Sequence, residues 1–170
     1  MSETNAETSG GKPPGRAGRK IVVAIVILAV VGGVYYLQIK PPKLDKRWGN
    51  DLTTAQDTAA KTKRPVIVFF HADPPGQEAR KLVKETFRVS QTTKALDRGQ
   101  WLCVELALPE KLESPQARQF KLAALPTILL LAPDGKELKR ATGFIGAAAL
   151  EQMMYEARVQ AGLVNNPSGS

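Results

Sequence analysis

The sequence is short of the residues on which most redox and metal chemistry depends. It contains one cysteine, Cys103, and one histidine, His71, among 170 residues. A single cysteine cannot close an intramolecular disulfide, and these two residues cannot supply the ligand set of a zinc site or an iron–sulfur cluster. We therefore expect no metal or other cofactor. The compartment stays open, because disulfide-free proteins occur on both sides of a membrane.

Aromatic residues are also scarce, at 6% of the chain, although the formal net charge is +8. The positive excess is concentrated in residues 1–47, which hold 8 Lys and Arg against 3 acidic residues, while the rest of the chain holds 16 against 13. A nucleic-acid-binding domain typically carries a basic stripe or a recognisable motif, and the nearly balanced remainder has neither. We therefore expect no nucleic-acid partner.

Residues 21–39 form a long segment without any charged residue. In an α-helix these 19 residues extend about 28 Å, close to the hydrocarbon thickness of a bilayer. Tyr35 and Tyr36 suit a membrane interface, and basic residues stand on both sides of the segment. The segment predicts a single-pass transmembrane helix. Residues 1–20 precede it as a predicted disordered tail, since they are rich in Ser, Gly, Pro and charged residues.

The processing and the orientation of this apolar segment stay open. A cleavable signal peptide is the alternative, because Val31, Gly32 and Gly33 offer small residues where a peptidase could cut. An uncleaved anchor is favoured, since the apolar run is longer than a usual signal core. The nearly equal positive charge of the two flanks does not fix the orientation. Residues 40–47 are interpreted as a short, stiff linker because they contain Pro41 and Pro42.

Residues 48–162 carry alternating helix and strand signals, and a disordered tail is predicted at 163–170. Helical spacing of apolar residues, continuous apolar runs and turn residues define the elements. In chain order they are a first helix to about Lys61, with Asn50 or Asp51 as its potential cap and Trp48, Leu52, Ala55 and Ala59 at helical spacing, a strand from Val66 to Phe70, a helix carrying Ala79 to Phe87, a second helical piece at 90–98, a strand from Trp101 to Leu108, a short helix opened by Ser114 and Pro115, a strand from Ile128 to Leu131, a hairpin turn at 133–136, a strand from Glu137 to Thr142, and a helix carrying Leu150 to Ala157.

This order of elements predicts an α/β fold with a mixed central sheet and helices on both faces. Right-handed crossovers make the first part of the sheet parallel, and the more polar strand from Glu137 to Thr142 returns antiparallel after the hairpin. A doubly wound, response-regulator-like fold is the alternative. That fold expects a helix where Asp134 and Gly135 predict a turn.

Two segments together resemble the thioredoxin superfamily, over roughly Trp48 to Arg158. Residues 64–73 (RPVIVFFHAD) are similar to the strand that leads into the family's active site, of the type KPVLVDFWAxWCGPC. Residues 125–131 (LPTILLL) look like the family's Ile-Pro-Thr loop entering a strand. The resemblance implies a thioredoxin-like domain at residues 48–162.

The same resemblance implies that thiol–disulfide chemistry has been lost. Position by position, Pro75 stands where the family has its nucleophilic cysteine, Gly76 at the glycine, Gln77 at the proline, and Glu78 at the resolving cysteine. The family's reaction needs a thiolate and a second thiol, which proline and glutamate cannot replace. Phe69 replaces the family's buried acid. We therefore expect no oxidoreductase activity at this former active-site loop.

The resemblance also implies a peptide-binding loop at Leu125, Pro126 and Thr127. In the family this loop contains a cis-proline beside the redox site, and its backbone pairs with an extended peptide without the use of sulfur. Binding can therefore survive the loss of catalysis. The alternative is that Pro126 only fixes a turn.

Three other residues with chemical potential have simpler interpretations. Cys103 lies in an apolar strand run and is interpreted as a small buried residue, with a reactive thiol as the alternative. His71 is interpreted as structural, because no cluster of metal ligands accompanies it in the sequence. Asp73 and Glu78 are two nearby carboxylates, but acid–base catalysis also needs a pocket, which the sequence does not reveal.

The main functional hypothesis is a membrane-tethered, redox-inactive thioredoxin-like domain that binds a protein or peptide. An oxidoreductase or redox sensor acting through Cys103 is the second hypothesis, and a structural subunit of a membrane assembly is the third. By resemblance, anchored domains of this kind usually face the extracytoplasmic, periplasmic side, which is an analogy rather than a consequence of the charges.

Overall fold

The computed structural model describes residues 25–33, 42–109 and 112–164. The chain divides into two compact units, Met1–Lys40 and Pro41–Ser170. In the first unit, residues 25–33 are helical (α1) and their large apolar side chains are exposed.

The predicted membrane span at 21–39 extends past the described part of α1 at both ends. Over the three described ranges, no helix has the length and apolarity that crossing a bilayer requires. The tail predicted at 1–20 lies outside the described residues, as do residues 165–170 of the predicted C-terminal tail.

The second unit contains a five-stranded mixed sheet with helices on both faces, which confirms the predicted α/β class. From Val66 onward, the order of its helices and strands is the predicted one. The elements are β1 (Trp48–Gly49), α2 (Leu52–Thr62), β2 (Val66–Ala72), α3 (Gln77–Leu82), a π-helical turn (Val83–Phe87), α4 (Ser90–Arg98), β3 (Leu102–Leu108), α5 (Pro115–Gln119), β4 (Thr127–Leu131), β5 (Glu137–Thr142) and α6 (Ala147–Gln160).

The strands lie in the order β1-β3-β2-β4-β5. The first three are parallel, β4 runs antiparallel to β2, and β5 runs antiparallel to β4. The sequence predicted the antiparallel return of β5, but the first reversal of direction comes one strand earlier, at β4. A hairpin then joins β4 to β5, with Gly135 at a φ of +83° that favours glycine.

Asp51, one of the two predicted caps, is confirmed as the N-cap of α2, with its side-chain carboxylate accepting a hydrogen bond from the Thr54 N–H at 3.1 Å. Trp48 was counted with the residues at helical spacing, but it precedes this cap, forms β1 and pairs in register with Cys103 of β3. The indole of Trp48 packs against Phe87, with ring centroids 4.8 Å apart.

The two faces of the sheet bury different sets of side chains, because successive residues of a strand point to opposite sides. On one face, Ile67 and Phe69 of β2 pack with α3, the π-helical turn, α4 and α6. On the other, Val66, Val68 and Phe70 pack with α2 and α5. β2 is therefore covered on both sides until it ends at His71 and Ala72, where the candidate site begins.

Candidate functional site

The former active-site loop, residues 75–78, runs from the turn after β2 into the first turn of α3, and hydrogen bonds to backbone carbonyls hold it in place. The Asp73 N–H donates to the Leu108 carbonyl at the end of β3, at 2.9 Å. At the other end of the turn, the Arg80 N–H donates to the Gly76 carbonyl at 3.0 Å, and the Arg80 Nε–H donates to the Pro75 carbonyl at 2.9 Å. These contacts hold the turn against both the sheet and the helix that follows.

This turn and the Pro126 loop both line one groove. The groove has a volume of about 320 Å³, and we call it the Leu125 groove. The Leu125–Pro126 peptide bond is cis, as is Asp73–Pro74. The residues that line the groove are Ala72, Gly76, Gln77, Glu78, Ala79, Leu112, Ala124, Leu125 and Pro126. The resemblance implied that the Pro126 loop borders the former active-site loop, and residues of both segments line this groove.

Most backbone and side-chain polar groups of the Pro126 loop already have partners. The Gly143 N–H donates to the Pro126 carbonyl at 2.8 Å, and the Thr127 hydroxyl donates to the Ala124 carbonyl at 2.7 Å. Leu125 differs, since within the described residues no hydrogen bond engages its backbone N–H or C=O. Leu125 therefore presents one backbone donor and one acceptor beside an apolar groove.

Cys103 lies away from the former active-site loop. It faces Ile67 across the β2–β3 ladder, five residues before the end of β2, which corresponds to roughly 17 Å along the strand. Its side chain is buried at 6% exposure, and burial raises the pKa of the thiol from 9.0 to about 12. Because the thiolate is the reacting species in disulfide exchange, this environment suppresses reactivity at neutral pH.

His71 has a specific partner that the sequence analysis missed. Its Nδ1 lies 2.7 Å from the Ala72 carbonyl, and its Nε2 lies 3.0 Å from a carboxylate oxygen of Glu105. A carbonyl and an ionised carboxylate both only accept hydrogen bonds, so both ring nitrogens must donate. The arrangement therefore suits the positively charged imidazolium.

The electrostatics of His71 agree with that geometry. Burial alone would lower the pKa of His71, but the hydrogen bonds to Glu105 and Ala72, with the negative charges of Glu105 and Asp73, outweigh it. The net result is a pKa raised above the ordinary value of 6.5. The His71 side chain is 9% exposed, and its ring lies against Phe69, with ring centroids 5.1 Å apart.

His71 and Glu105 open onto a second cavity of about 360 Å³ on the other side of the turn. Trp48 and Phe69 contribute aromatic walls to it. Asp73 also lines this cavity, whereas Glu78 lines the Leu125 groove. The two carboxylates considered as a pair in the sequence therefore face different cavities. Within the described ranges, no cluster of three or more His, Cys, Asp or Glu side chains is arranged to hold a metal ion.

The sequence contained one weak signal for the His71–Glu105 pair. Glu105 is the only charged residue in the strand run from Leu102 to Leu108, and an acidic residue inside an apolar strand usually has a partner. Its partner is 34 residues away, so no local spacing could identify it.

Solved structures similar to this chain share its fold. A DsbH oxidoreductase matches with a TM-score of 0.53 and 19% identity, covering 72% of this chain and 87% of that one. The C-terminal domain of Neisseria meningitidis DsbD in its oxidised form matches with a TM-score of 0.53 and 20% identity, covering 65% and 99%. A thioredoxin from Thermus thermophilus matches with a TM-score of 0.54 and 17% identity, covering 71% and 93%.

At these identities the similarity shows the fold and leaves the activity of this chain open. No protein of curated function matches the chain. The family model described as a thioredoxin-like domain matches residues 52–158, which is most of the folded unit. Its match agrees with the two segments that resemble the superfamily in the sequence. The chain belongs to the thioredoxin-like family.

Proposed function

We propose that this domain is redox-inactive and binds an extended segment of a partner protein in the Leu125 groove. One observation carries the proposal, namely that the backbone N–H and C=O of Leu125 have no hydrogen-bond partner among the described residues and lie beside a groove of about 320 Å³. An extended segment that pairs with these two groups can place a side chain in the groove. This mode of recognition uses main-chain hydrogen bonds for affinity and a side-chain pocket for specificity.

The absence of thiols from the former active-site loop supports the redox-inactive part of the proposal. Pro75 and Glu78 offer neither a nucleophilic nor a resolving sulfur, and the only cysteine is buried in β3. The competing hypothesis is a redox reaction through Cys103. A reactive Cys103 would have to be exposed and have a lowered pKa. The Cys103 thiol is instead buried, and burial raises its pKa.

A pair of glycine variants tests the proposed groove. Gly76 and Gly146 are both helix N-caps with extended backbones, at φ values of −68° and −74°, and a Cβ added at either meets no atom within 4 Å. Gly76 lines the Leu125 groove, whereas Gly146 does not. Gly76→Trp should therefore obstruct the groove without strain, and Gly146→Trp is the matched control.

The measurement uses peptides of eight residues selected from a random library on the full-length wild-type chain. We expect Gly76→Trp to weaken their binding at least roughly tenfold, while Gly146→Trp leaves the dissociation constant unchanged. Equal affinity for wild type and Gly76→Trp would place the binding surface elsewhere. If the library yields no binding peptide, the proposal that this domain binds an extended segment is contradicted.

We further propose that residues 21–39 anchor the chain in a membrane, with the domain on the extracytoplasmic side. The support is the length and apolarity of this segment in the sequence, with the thioredoxin-like resemblance for the side. Carbonate extraction of membranes and protease treatment of intact cells test the two parts separately. Release into the soluble fraction contradicts the anchor, and protection of the domain in intact cells contradicts the proposed side.

A further inference from the structure

The Leu125 groove has one charged side chain on its wall. Among the described residues that line it, Glu78 alone is ionisable, and the others are apolar, small or neutral. Glu78 lies in the first turn of α3 and is exposed. A segment bound in the groove therefore meets a single negative charge beside an apolar surface.

The surroundings of Glu78 leave its carboxylate accessible. One carboxylate oxygen approaches Gly143 so closely that a Cβ at that glycine would lie 3.4 Å from it. Gly143 also donates its N–H to the Pro126 carbonyl, so the carboxylate lies next to the loop that carries Leu125. No hydrogen bond or ion pair from the described side chains engages the Glu78 carboxylate, which suits it to accept from a ligand.

We propose that the partner segment carries an apolar side chain in the groove and a Lys or Arg two positions away, paired with Glu78. This inference rests on the peptide-binding role proposed above and specifies its partner. Alternate residues of an extended strand lie on the same side, about 7 Å apart. An apolar and a basic side chain separated by one residue can therefore face the groove and its rim together.

The pairing of Glu78 with a basic side chain is tested by changing the charge of the peptide and, separately, the charge at Glu78. A peptide selected on the full-length wild-type chain is resynthesised with Lys, Gln or Glu at the position two residues from its apolar anchor. We expect the wild type to bind the Lys peptide roughly tenfold more tightly than the Glu peptide. This ratio of affinities should decrease at high salt, because salt screens the charges. Glu78→Gln should remove the preference, and Glu78→Lys should reverse it.

Glu85→Gln is the control, because Glu85 is an exposed carboxylate in the helical turn after α3 and does not line the groove. The control should keep the wild-type preference. Equal binding of the three peptide forms by the wild type overturns the inference and leaves the peptide-binding role intact. A preference for the Lys peptide that persists in Glu78→Lys also overturns the inference and leaves the peptide-binding role intact. The absence of any bound peptide, by contrast, contradicts the peptide-binding role itself.

Discussion

His71, one residue before the end of β2, and Glu105, in the middle of the neighbouring parallel strand β3, form a hydrogen-bonded acid–base pair 3.0 Å apart. Both nitrogens of the imidazole are engaged, since Nδ1 lies 2.7 Å from the Ala72 carbonyl. Because a partly buried ion pair is weak evidence for stability, its place on the wall of a cavity is the more informative feature.

The pair makes the titration of His71 directly measurable. His71 is the only histidine in the chain, so its Cε1–H gives a single titrating NMR signal. We expect a midpoint above 6.5, because the hydrogen bonds to Glu105 and Ala72 outweigh the effect of burial on the pKa. Glu105→Gln should lower the midpoint, while Glu156→Gln, on α6, should not. A wild-type midpoint at or below 6.5 is incompatible with the described pairing.

The same pair predicts a pH dependence of stability with a definite sign. A histidine whose pKa is higher in the folded than in the unfolded protein stabilises the fold fully below the unfolded pKa, and this contribution is lost as pH rises through the folded pKa. We expect the difference in free energy of unfolding between wild type and Glu105→Gln to be about 1 kcal/mol at a pH below 6.5 and to shrink as the pH rises through the raised pKa of His71. Urea unfolding at several pH values measures it. A difference that grows with pH would refute the assignment.

Burial of Cys103 predicts slow alkylation of the native protein. A rise in pKa from 9.0 to about 12 lowers the thiolate fraction at neutral pH roughly a thousandfold, and burial also blocks access. Labelling with iodoacetamide should be far slower in buffer than in urea, where the thiol is exposed. Comparable rates in the two conditions would show that Cys103 is exposed in the native state and revive the redox-sensor hypothesis.

Gly143 is predicted to position the Pro126 loop. It has a φ of +80° and donates its N–H to the Pro126 carbonyl. Gly143→Ala should destabilise the fold by about 1–2 kcal/mol, because a Cβ is strained in the left-handed region, and it should weaken peptide binding. Gly146→Ala, at a φ of −74°, is the control and should change neither quantity appreciably. Equal free energies of unfolding for the two variants would argue against this role.

Local signals in the sequence predicted much of the fold. The apolar run of β2, the Ser114 cap with Pro115, and the Asp134-Gly135 turn each depend on neighbouring residues, and the structure confirms all three elements. Features that depend on distant residues were missed. Trp48 fits helical spacing with Leu52, but its pairing with Cys103 across the sheet places it in a strand.

In the candidate site, too, some features could be predicted from the sequence and others depend on contacts between distant residues. The resemblance to thioredoxin-like proteins implied that the Pro126 loop borders the former active-site loop, and both line one groove. The second cavity and the His71–Glu105 pair were not predicted, because they arise from tertiary contacts. The residues that make these contacts are far apart in the chain, so the spacing of residues in a single sequence does not reveal them.

The most direct test of the account is amide hydrogen exchange at Leu125 in the full-length protein, with and without a selected peptide. If an extended segment pairs with this loop, the Leu125 N–H acquires an acceptor, and its exchange should slow at least roughly tenfold. Unchanged exchange at Leu125 under saturating peptide would contradict the account, because binding would then occur without the backbone pairing on which it depends.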